Sequence, residues 1–371
     1  MRMKKEDYMK IVAFRQELHQ HPELSNHEEQ TRSFIKKFIQ ENMSKYNIYD
    51  EGTWLYCMKP YRNGHKTIVI RADHDAILNS KGVPFHGCGH DGHTTILLGL
   101  MMEQEDIETD TNVIYLFQPA EENGSGAAFC SPLFERYHVD EVYGMHNMPG
   151  LEKNVIYYRP ETVMCASVGY HIRLRGIQSH ASEPEKGRNP AFVLSEFVKA
   201  IQPLSQSCQF ESFQFGDISF SSLAMITVIY MNVGSMNFGI SPANGEIALT
   251  LRAAKEGELL QLEKYVLDYF ARVKDQFEVE IEMFDRFDEN YTDPQLAKKS
   301  IEKLQAAGMP VKTLEYPIRA SEDFGYYKKF APTVFFLVGT GDCPSLHHDA
   351  YRFDDEIIDT SIQMYQTIIN H

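Results

Sequence analysis

No stretch of the 371-residue sequence approaches the roughly 20 consecutive apolar residues of a membrane span, and the opening MRMKKEDYMK turns polar before a signal-peptide core could form. The expected location is therefore cytoplasmic. Positive charge is also in deficit. Lys and Arg number 36 against 52 Asp and Glu, a formal net charge of −16, which removes the electrostatic basis for a general affinity for nucleic acid or anionic membrane. Small molecules become the expected partners. The six cysteines, Cys57, Cys88, Cys130, Cys165, Cys208 and Cys343, are too widely and irregularly spaced for a disulfide framework. They read as reduced thiols, five of them ordinary small apolar side chains. Polar low-complexity tracts, Gly/Ser linkers, internal repeats and heptad runs are all missing. At 43% hydrophobic and 24% charged residues, the composition is that of a folded globular chain.

A chain of this length exceeds what one core usually organises, so two domains are expected. Apolar residues at helical spacing (Ile11, Phe14, Leu18, then Phe34, Ile35, Phe38, Ile39) predict two helices between Asp7 and Met43, broken at Pro22. Runs rich in β-branched residues predict strands at Thr67 to Ile70, Val113 to Phe117, Val139 to Met145 and Thr333 to Val338, with a helix at Thr94 to Glu103 among them. This alternation predicts an α/β fold, a mostly parallel sheet flanked by helices. From Val163 the texture changes. An alternating strand (Val168, Tyr170, Ile172, Leu174), a helix from Pro190 to Ile201, a strand from Glu246 to Arg252, a helix from Gly257 to Val273 and a strand from Glu278 to Phe284 predict an inserted α+β unit. The boundaries fall at 1–162 and 285–371 for the first domain and 163–284 for the insertion.

The densest chemistry lies in His86-Gly87-Cys88-Gly89-His90-Asp91-Gly92-His93, where potential ligands alternate with glycines that let the backbone turn tightly around an ion. A turn that happens to hold three histidines is the plain alternative, and a Cys beside a His is also the arrangement of a thiol nucleophile. Gln118-Pro119-Ala120-Glu121-Glu122 follows a predicted strand directly. Ligands collect at the carboxyl ends of strands in open α/β sheets, so this carboxylate pair can divide the labour, one binding metal and the other moving protons. A solvated acidic loop is the bland reading. His146 comes directly after the predicted strand that ends at Met145, and His347 follows the last one after a short loop. Alone, each histidine reads as a satisfied polar residue. Four segments converging on one edge of one sheet are hard to explain without a metal. Cys88, His90, Glu122, His146 and His347 are too many donors for one tetrahedral ion, so they suggest two divalent ions with the Cys88 thiolate able to bridge. Zinc is the default, with manganese, cobalt and nickel allowed by the donor types. The expected reaction is amide hydrolysis, in which Glu121 takes a proton from water activated at the metal and returns it to the leaving nitrogen.

These residues, in this order, resemble the zinc-dependent aminoacylase and carboxypeptidase G-like metallopeptidase family, in its amidohydrolase branch of hippuricases, auxin-conjugate hydrolases and N-acetyldiaminopimelate deacetylases. The likeness runs over nearly the whole chain, through RQELHQHPEL, RADHDA, HGCGHDGH, FQPAEE, GMHN, GIQSHASEP, SEDFGYY and SLHHDAYRFDDE. It implies metal binding by Cys88, His90, Glu122, His146 and His347 and acid/base catalysis by Glu121. It also implies that the inserted unit is a lid and dimerisation domain whose His180 polarises the substrate carbonyl, reaching across from the other subunit in dimeric members. Asp73 and Asp75 would orient metal ligands, and His74, His93 and His348 are spare donors.

The chain departs from the family pattern in two places. Ile77 to Phe85 is brief where relatives carry a longer loop, and Gly239 stands near a position where many relatives have Asn, which leaves Arg252 as the candidate for a substrate carboxylate. The expected activity is release of an amino acid from an N-acyl-L-amino acid by a homodimer. N-acetyl-L,L-diaminopimelate deacetylase and dipeptidase are alternatives of the same chemistry. A Cys88-nucleophile hydrolase and a non-catalytic metal-binding module are alternatives of other classes.

Overall fold

The computed structural model describes residues 3–206 and 210–370, and Cys208 lies outside them. Two units emerge from the packing. The first comprises Met1–Val163, Asn290–Tyr316 and Glu322–His371, and the second comprises Met164–Glu289 with Pro317–Ser321. Among the described residues no helix is long and apolar enough to cross a membrane.

Helices α1 (Lys5–Gln20) and α2 (Glu29–Asn42) are one-sided, burying Ile11, Phe14 and Leu18 on the first and Ile35, Phe38 and Ile39 on the second. Next come β1 (Asn47–Asp50), β2 (Leu55–Met58), β3 (Lys66–Asp73), α3 (His90–Gln104), β4 (Thr111–Gln118), β5 (Glu141–Met148) and β6 (Ile156–Tyr158). Two of these differ from the sequence pattern in ways that matter. Helix α3 starts four residues before Thr94, because Gly89 takes a left-handed turn and starts the helix on polar residues that carry no apolar period. Strand β5 runs on to Met148, so His146 sits inside the strand rather than beyond its end.

The second unit contains β7 (Ala166–Arg175), β8 (Ser179–His180), α4 (Pro190–Gln206), β9 (Ala224–Val233), β10 (Ile240–Ser241), β11 (Asn244–Ala253), α5 (Glu256–Ala271) and β12 (Glu278–Phe287). Its sheet is antiparallel, in the order β9-β11-β7-β12. Alternate residues of β7 (Val168, Tyr170, Ile172, Leu174) and β11 (Ile247, Leu249, Leu251) are buried with Phe197 of α4 and Leu262 and Phe270 of α5, the period-2 pattern of a sheet with one covered face. The opposite face carries a hydrogen bond between His171 and Glu246 and ion pairs of Arg173 with Glu280 and Glu282. The boundaries drawn from sequence leave out 285–289, where β12 continues to Phe287, and 317–321. That segment joins the unit through the Met164–Ile318 bridge and the Cys165 N–H donated to the Ala320 carbonyl.

The chain returns to the first unit with α6 (Pro294–Ala306), β13 (Val311–Thr313), β14 (Thr333–Gly339) and α7 (Ile358–Asn370). The large sheet then reads β1-β2-β4-β3-β5-β14-β6-β13. Its central strands β4, β3, β5 and β14 are parallel, with antiparallel pairs at β1-β2, β2-β4 and β14-β6. All residues of β14 and all but the first of β3 are buried, as befits parallel strands covered on both faces. The core joins Ile68, Tyr143, Phe336 and other sheet residues to Ile96 and Leu100 of α3, Ile11 of α1 and Ile362 of α7.

Candidate metal centre

Gly89 sets the geometry of the first donor segment. It caps α3 with φ +92°, and a Cβ there would lie 2.5 Å from Asn147 Oδ1 and 2.7 Å from Tyr351 Oη, so neither the conformation nor the space admits a side chain. The turn sets Cys88 just before the helix and His90 as its first residue. His90 Nδ1 bonds Asp75 Oδ1 at 3.0 Å and the Asp75 carbonyl at 3.1 Å. Its Nε2 is buried with no hydrogen-bond partner, 3.8 Å from Glu122 Oε1 and 4.0 Å from Glu121 Oε2. Burial opposes charge on this imidazole, yet Asp73, Asp75 and Glu122 outweigh it and lift its pKa to about 10.

Strand β5 supplies His146, whose Nδ1 bonds the Asn147 carbonyl at 2.7 Å and whose Nε2 lies 3.4 Å from Cys88 Sγ. Burial, then the neighbouring His93 and His90, holds His146 well below the usual histidine range, so it is neutral and can offer a lone pair. The Cys88 thiol is pushed well up by burial and then by Glu122, Glu121 and Asp73.

The turn after β4 places the two carboxylates. Ala120 has φ +50°. Its carbonyl accepts from Gly126 N at 3.0 Å, and a Cβ on Gly126 would fall 1.7 Å from the Pro119 carbonyl oxygen. Glu122 N donates to Asp75 Oδ2 at 3.0 Å, while Glu122 Oε1 is buried without a hydrogen-bond partner. Glu121 Oε1 accepts from Asp323 N at 3.3 Å. Its carboxyl is pushed well above the usual range by burial and then by Glu322, Glu122, Asp323 and Asp73. His347, with φ +65° and an N–H donated to the Gly87 carbonyl at 2.8 Å, brings Nε2 to 3.6 Å from Glu122 Oε2. It is the exposed member, with 55% of its side chain accessible.

All five expected ligands are therefore drawn together. Cys88, His90 and His146 present donor atoms within 4.8 Å of one another, and so do Cys88, Glu122 and His347, two triads that share the sulfur. Glu121 lies beside them, within the same distance of His90 and Glu122. Of the orienting aspartates, Asp75 bonds His90, whereas Asp73 bonds His93 at 2.6 Å and Arg71 at 2.6 Å. His93 spends its other nitrogen on Asn147 Oδ1 at 2.7 Å. His74 is buried with neither ring nitrogen bonded, and burial lowers its pKa to about 4. His348 is exposed, its Nδ1 accepting from Ala350 N. In the second unit His180 is exposed, 2.6 Å from Ser182 Oγ through Nδ1, and Arg252 donates to Ser321 Oγ and the Arg319 carbonyl at 2.7 and 3.2 Å.

Sequence reasoning missed the charge balance. Arg71, wholly buried, pairs with Asp73 at 2.6 Å and with Glu322 and Asp323 at 2.9 Å each, and its Nε donates to Gln118 at 2.8 Å. Arg71 thus pairs with three carboxyls, Asp73, Glu322 and Asp323, while Asp75, Glu121 and Glu122 add three more on buried or nearly buried side chains. Such an excess is costly unless cations or protons offset it. The unsatisfied His90 Nε2 and Glu122 Oε1, and the mixed sulfur, nitrogen and oxygen donors, fit divalent transition ions.

A mostly parallel α/β unit that gathers thiol, imidazole and carboxylate donors from separate segments defines the class, an α/β enzyme with a donor-rich buried site. Residues 69–371 match the model of peptidase family M20/M25/M40. The chain belongs to that family and hydrolyses amide bonds, in agreement with the resemblance drawn from its motifs. It is 29% identical over 388 residues to an uncharacterized hydrolase of Staphylococcus aureus (strain USA300), with 97% of each chain covered. Among solved structures it is similar to a provisionally named aminohydrolase from methicillin resistant Staphylococcus aureus, with TM-score 0.83, 26% identity and 98% and 96% coverage. It also shares its fold with a dinuclear metal binding peptidase of the M20 family from Bacillus subtilis, with TM-score 0.80, 22% identity and 99% and 98% coverage.

Proposed function

We propose that the chain hydrolyses N-acyl-L-amino acids in the cytoplasm, where Cys88, His90 and His146 would hold one divalent ion and Glu122 and His347 a second, with Cys88 belonging to both donor groups. The observation that carries the reading is the pair of donor triads meeting at one sulfur, with Glu121 alongside. The dinuclear description of the Bacillus subtilis relative supports it, and zinc suits the donor set best. Two such ions supply Lewis-acid polarisation of a carbonyl and acidification of water.

The protein's own groups do the rest. Glu121, held through Oε1 by the Asp323 main chain, keeps its other oxygen for proton transfer, taking the proton of the attacking water and delivering it to the leaving nitrogen. Asp75 fixes the His90 ring so that Nε2 is the free nitrogen. His180 is assigned to the substrate carbonyl, where an imidazole stabilises the developing oxyanion. A thiol-nucleophile mechanism is disfavoured because reactive cysteines sit in electropositive surroundings, whereas Cys88 faces Glu121, Glu122 and Asp73. Homodimerisation through the second unit is supported by its edge strand β9, on which Ile229, Tyr230 and Met231 are exposed. Sedimentation as a monomer at working concentration would contradict that assignment.

The test is a panel of N-acetyl and N-benzoyl L- and D-amino acids, N-acetyl-L,L-diaminopimelate and dipeptides, assayed with zinc, manganese or cobalt after chelation. Cleavage of L-configured N-acyl substrates only with metal restored is expected. Preference for the diaminopimelate derivative or for dipeptides would redirect the substrate assignment, and cleavage of nothing under any metal would overturn the reading.

A further inference from the structure

The corner between α1 and α2 carries an acidic residue that does not do what acidic residues at helix starts ordinarily do. Glu28 stands at the N-cap of α2, yet its side chain makes no capping bond. That task belongs to Glu23, whose carboxylate accepts from Gln30 N at 3.1 Å, from Thr31 N at 2.7 Å and from Thr31 Oγ1 at 2.8 Å. Relieved of capping, Glu28 is 5% exposed and turns inward, where Oε1 accepts from Ala120 N at 2.8 Å, 92 residues away.

Ala120 is where that bond matters. It is fully buried, it is not glycine, and it holds φ +50°, a conformation that is strained for an L-residue and persists only where its surroundings over-determine it. The next two residues are Glu121 and Glu122. Four hydrogen bonds hold this turn: Glu28 on Ala120 N, Gly126 N on the Ala120 carbonyl, Gly124 N on the Glu121 carbonyl at 2.8 Å, and Asp75 on Glu122 N. The same corner also reaches Asp75, whose Oδ2 accepts from Ser25 Oγ at 2.7 Å. Without the Glu28 bond, a buried N–H is left unsatisfied at the strained residue, and the turn can relax by rotating the two carboxylates that follow.

We infer that Glu28 is a positioning residue, which locks the left-handed turn at Ala120 and thereby sets the places of Glu121 and Glu122. This rests on the proposed metal-dependent reading of those two carboxylates. Charge is not what the contact needs: burial, with Asp75 nearby, pushes the Glu28 carboxyl up to about 7, and a protonated carboxyl still accepts through its carbonyl oxygen. A glutamine has that oxygen too.

The experiment compares Glu28→Gln, which keeps the acceptor, with Glu28→Met, which keeps the bulk and removes it. Zinc affinity is measured by chelator competition, kcat and KM are measured on the best substrate of the panel, and the melting of the metal-free proteins is recorded. Glu28→Gln should stay within about twofold of wild type throughout. Glu28→Met should bind one of the two zinc equivalents about 10–100-fold more weakly, the usual effect of losing a group that orients a ligand, with kcat reduced about as far at saturating zinc and KM within about twofold. Wild-type zinc affinity in Glu28→Met, or an equal loss in Glu28→Gln, would overturn the inference. Were Glu28→Met too unstable to isolate, Glu28→Gln decides alone, since a tenfold loss with the acceptor retained contradicts the role and full retention supports it. If the wild type cleaves no substrate, the functional reading falls while zinc affinity still decides the role of Glu28.

Discussion

Replacing Arg71 by methionine, of similar length and without charge, removes the guanidinium that meets Asp73, Glu322 and Asp323 at 2.6, 2.9 and 2.9 Å. Breaking a buried ion pair from one side costs about 3–5 kcal/mol, because the partners remain buried and uncompensated. A unit of this size loses roughly 2–4 °C of melting temperature per kcal/mol, so the metal-free variant should melt about 6–20 °C below wild type at pH 8. The pH dependence follows from the carboxylates. Burial opposes the charge of Asp73, but Arg71 outweighs it, followed by His90 and His93, and its pKa is held well below the usual value. That stabilisation is present above the unfolded-state pKa of about 4 and lost as pH falls through the folded one. In the variant the same carboxyls take up protons more readily, so the deficit should be largest at pH 8 and smaller at pH 5.5. Circular dichroism melts of chelator-treated protein at both pH values measure it. A variant melting within about 2 °C of wild type at pH 8, or a gap that widens in acid, would refute the assignment of Arg71 as the counter-charge.

Three further substitutions probe the donors and the turn. Cys88→Ser should bind at most one equivalent of zinc and lose most hydrolysis, as read by metal analysis and turnover; activity lost with both metals retained and no chelator effect would instead favour a thiol nucleophile. His347→Ala should lose one equivalent of zinc while the metal-free protein melts within about 2 °C of wild type, since surface substitutions are usually within about 0.5 kcal/mol and this side chain is 55% accessible. Gly126→Ala, whose Cβ would meet the Pro119 carbonyl at 1.7 Å, should lower melting temperature and zinc content together, and unchanged values in both would contradict the role given to that turn.

The parallel strands were readable because strands buried on both faces are near-continuous apolar runs, as in Lys66–Asp73 and Thr333–Gly339. The inserted unit was readable for the opposite reason, the clean alternation along Val168 to Leu174. The start of α3 was not, because His90, Asp91 and His93 are buried by their hydrogen bonds rather than by hydrophobicity, and polar residues carry no period. The donor set stood out through residue type and its place after strands. What surrounds it did not. Arg71 finds Glu322 across 251 residues, Glu28 finds Ala120 across 92, and Ser25 finds Asp75 across 50. A buried polar contact of that span leaves no local signal, although RADHDA, HPELS and SEDF mark its ends.

The coupling of metal to hydrolysis is central to the proposed chemistry. Zinc added back stepwise to the chelated enzyme, with bound metal and turnover of an N-acyl-L-amino acid read in the same samples, should restore activity that levels off at two ions per chain and stays absent in Glu121→Gln at the same loading. Full activity in the metal-free protein, or in Glu121→Gln carrying both ions, would contradict it.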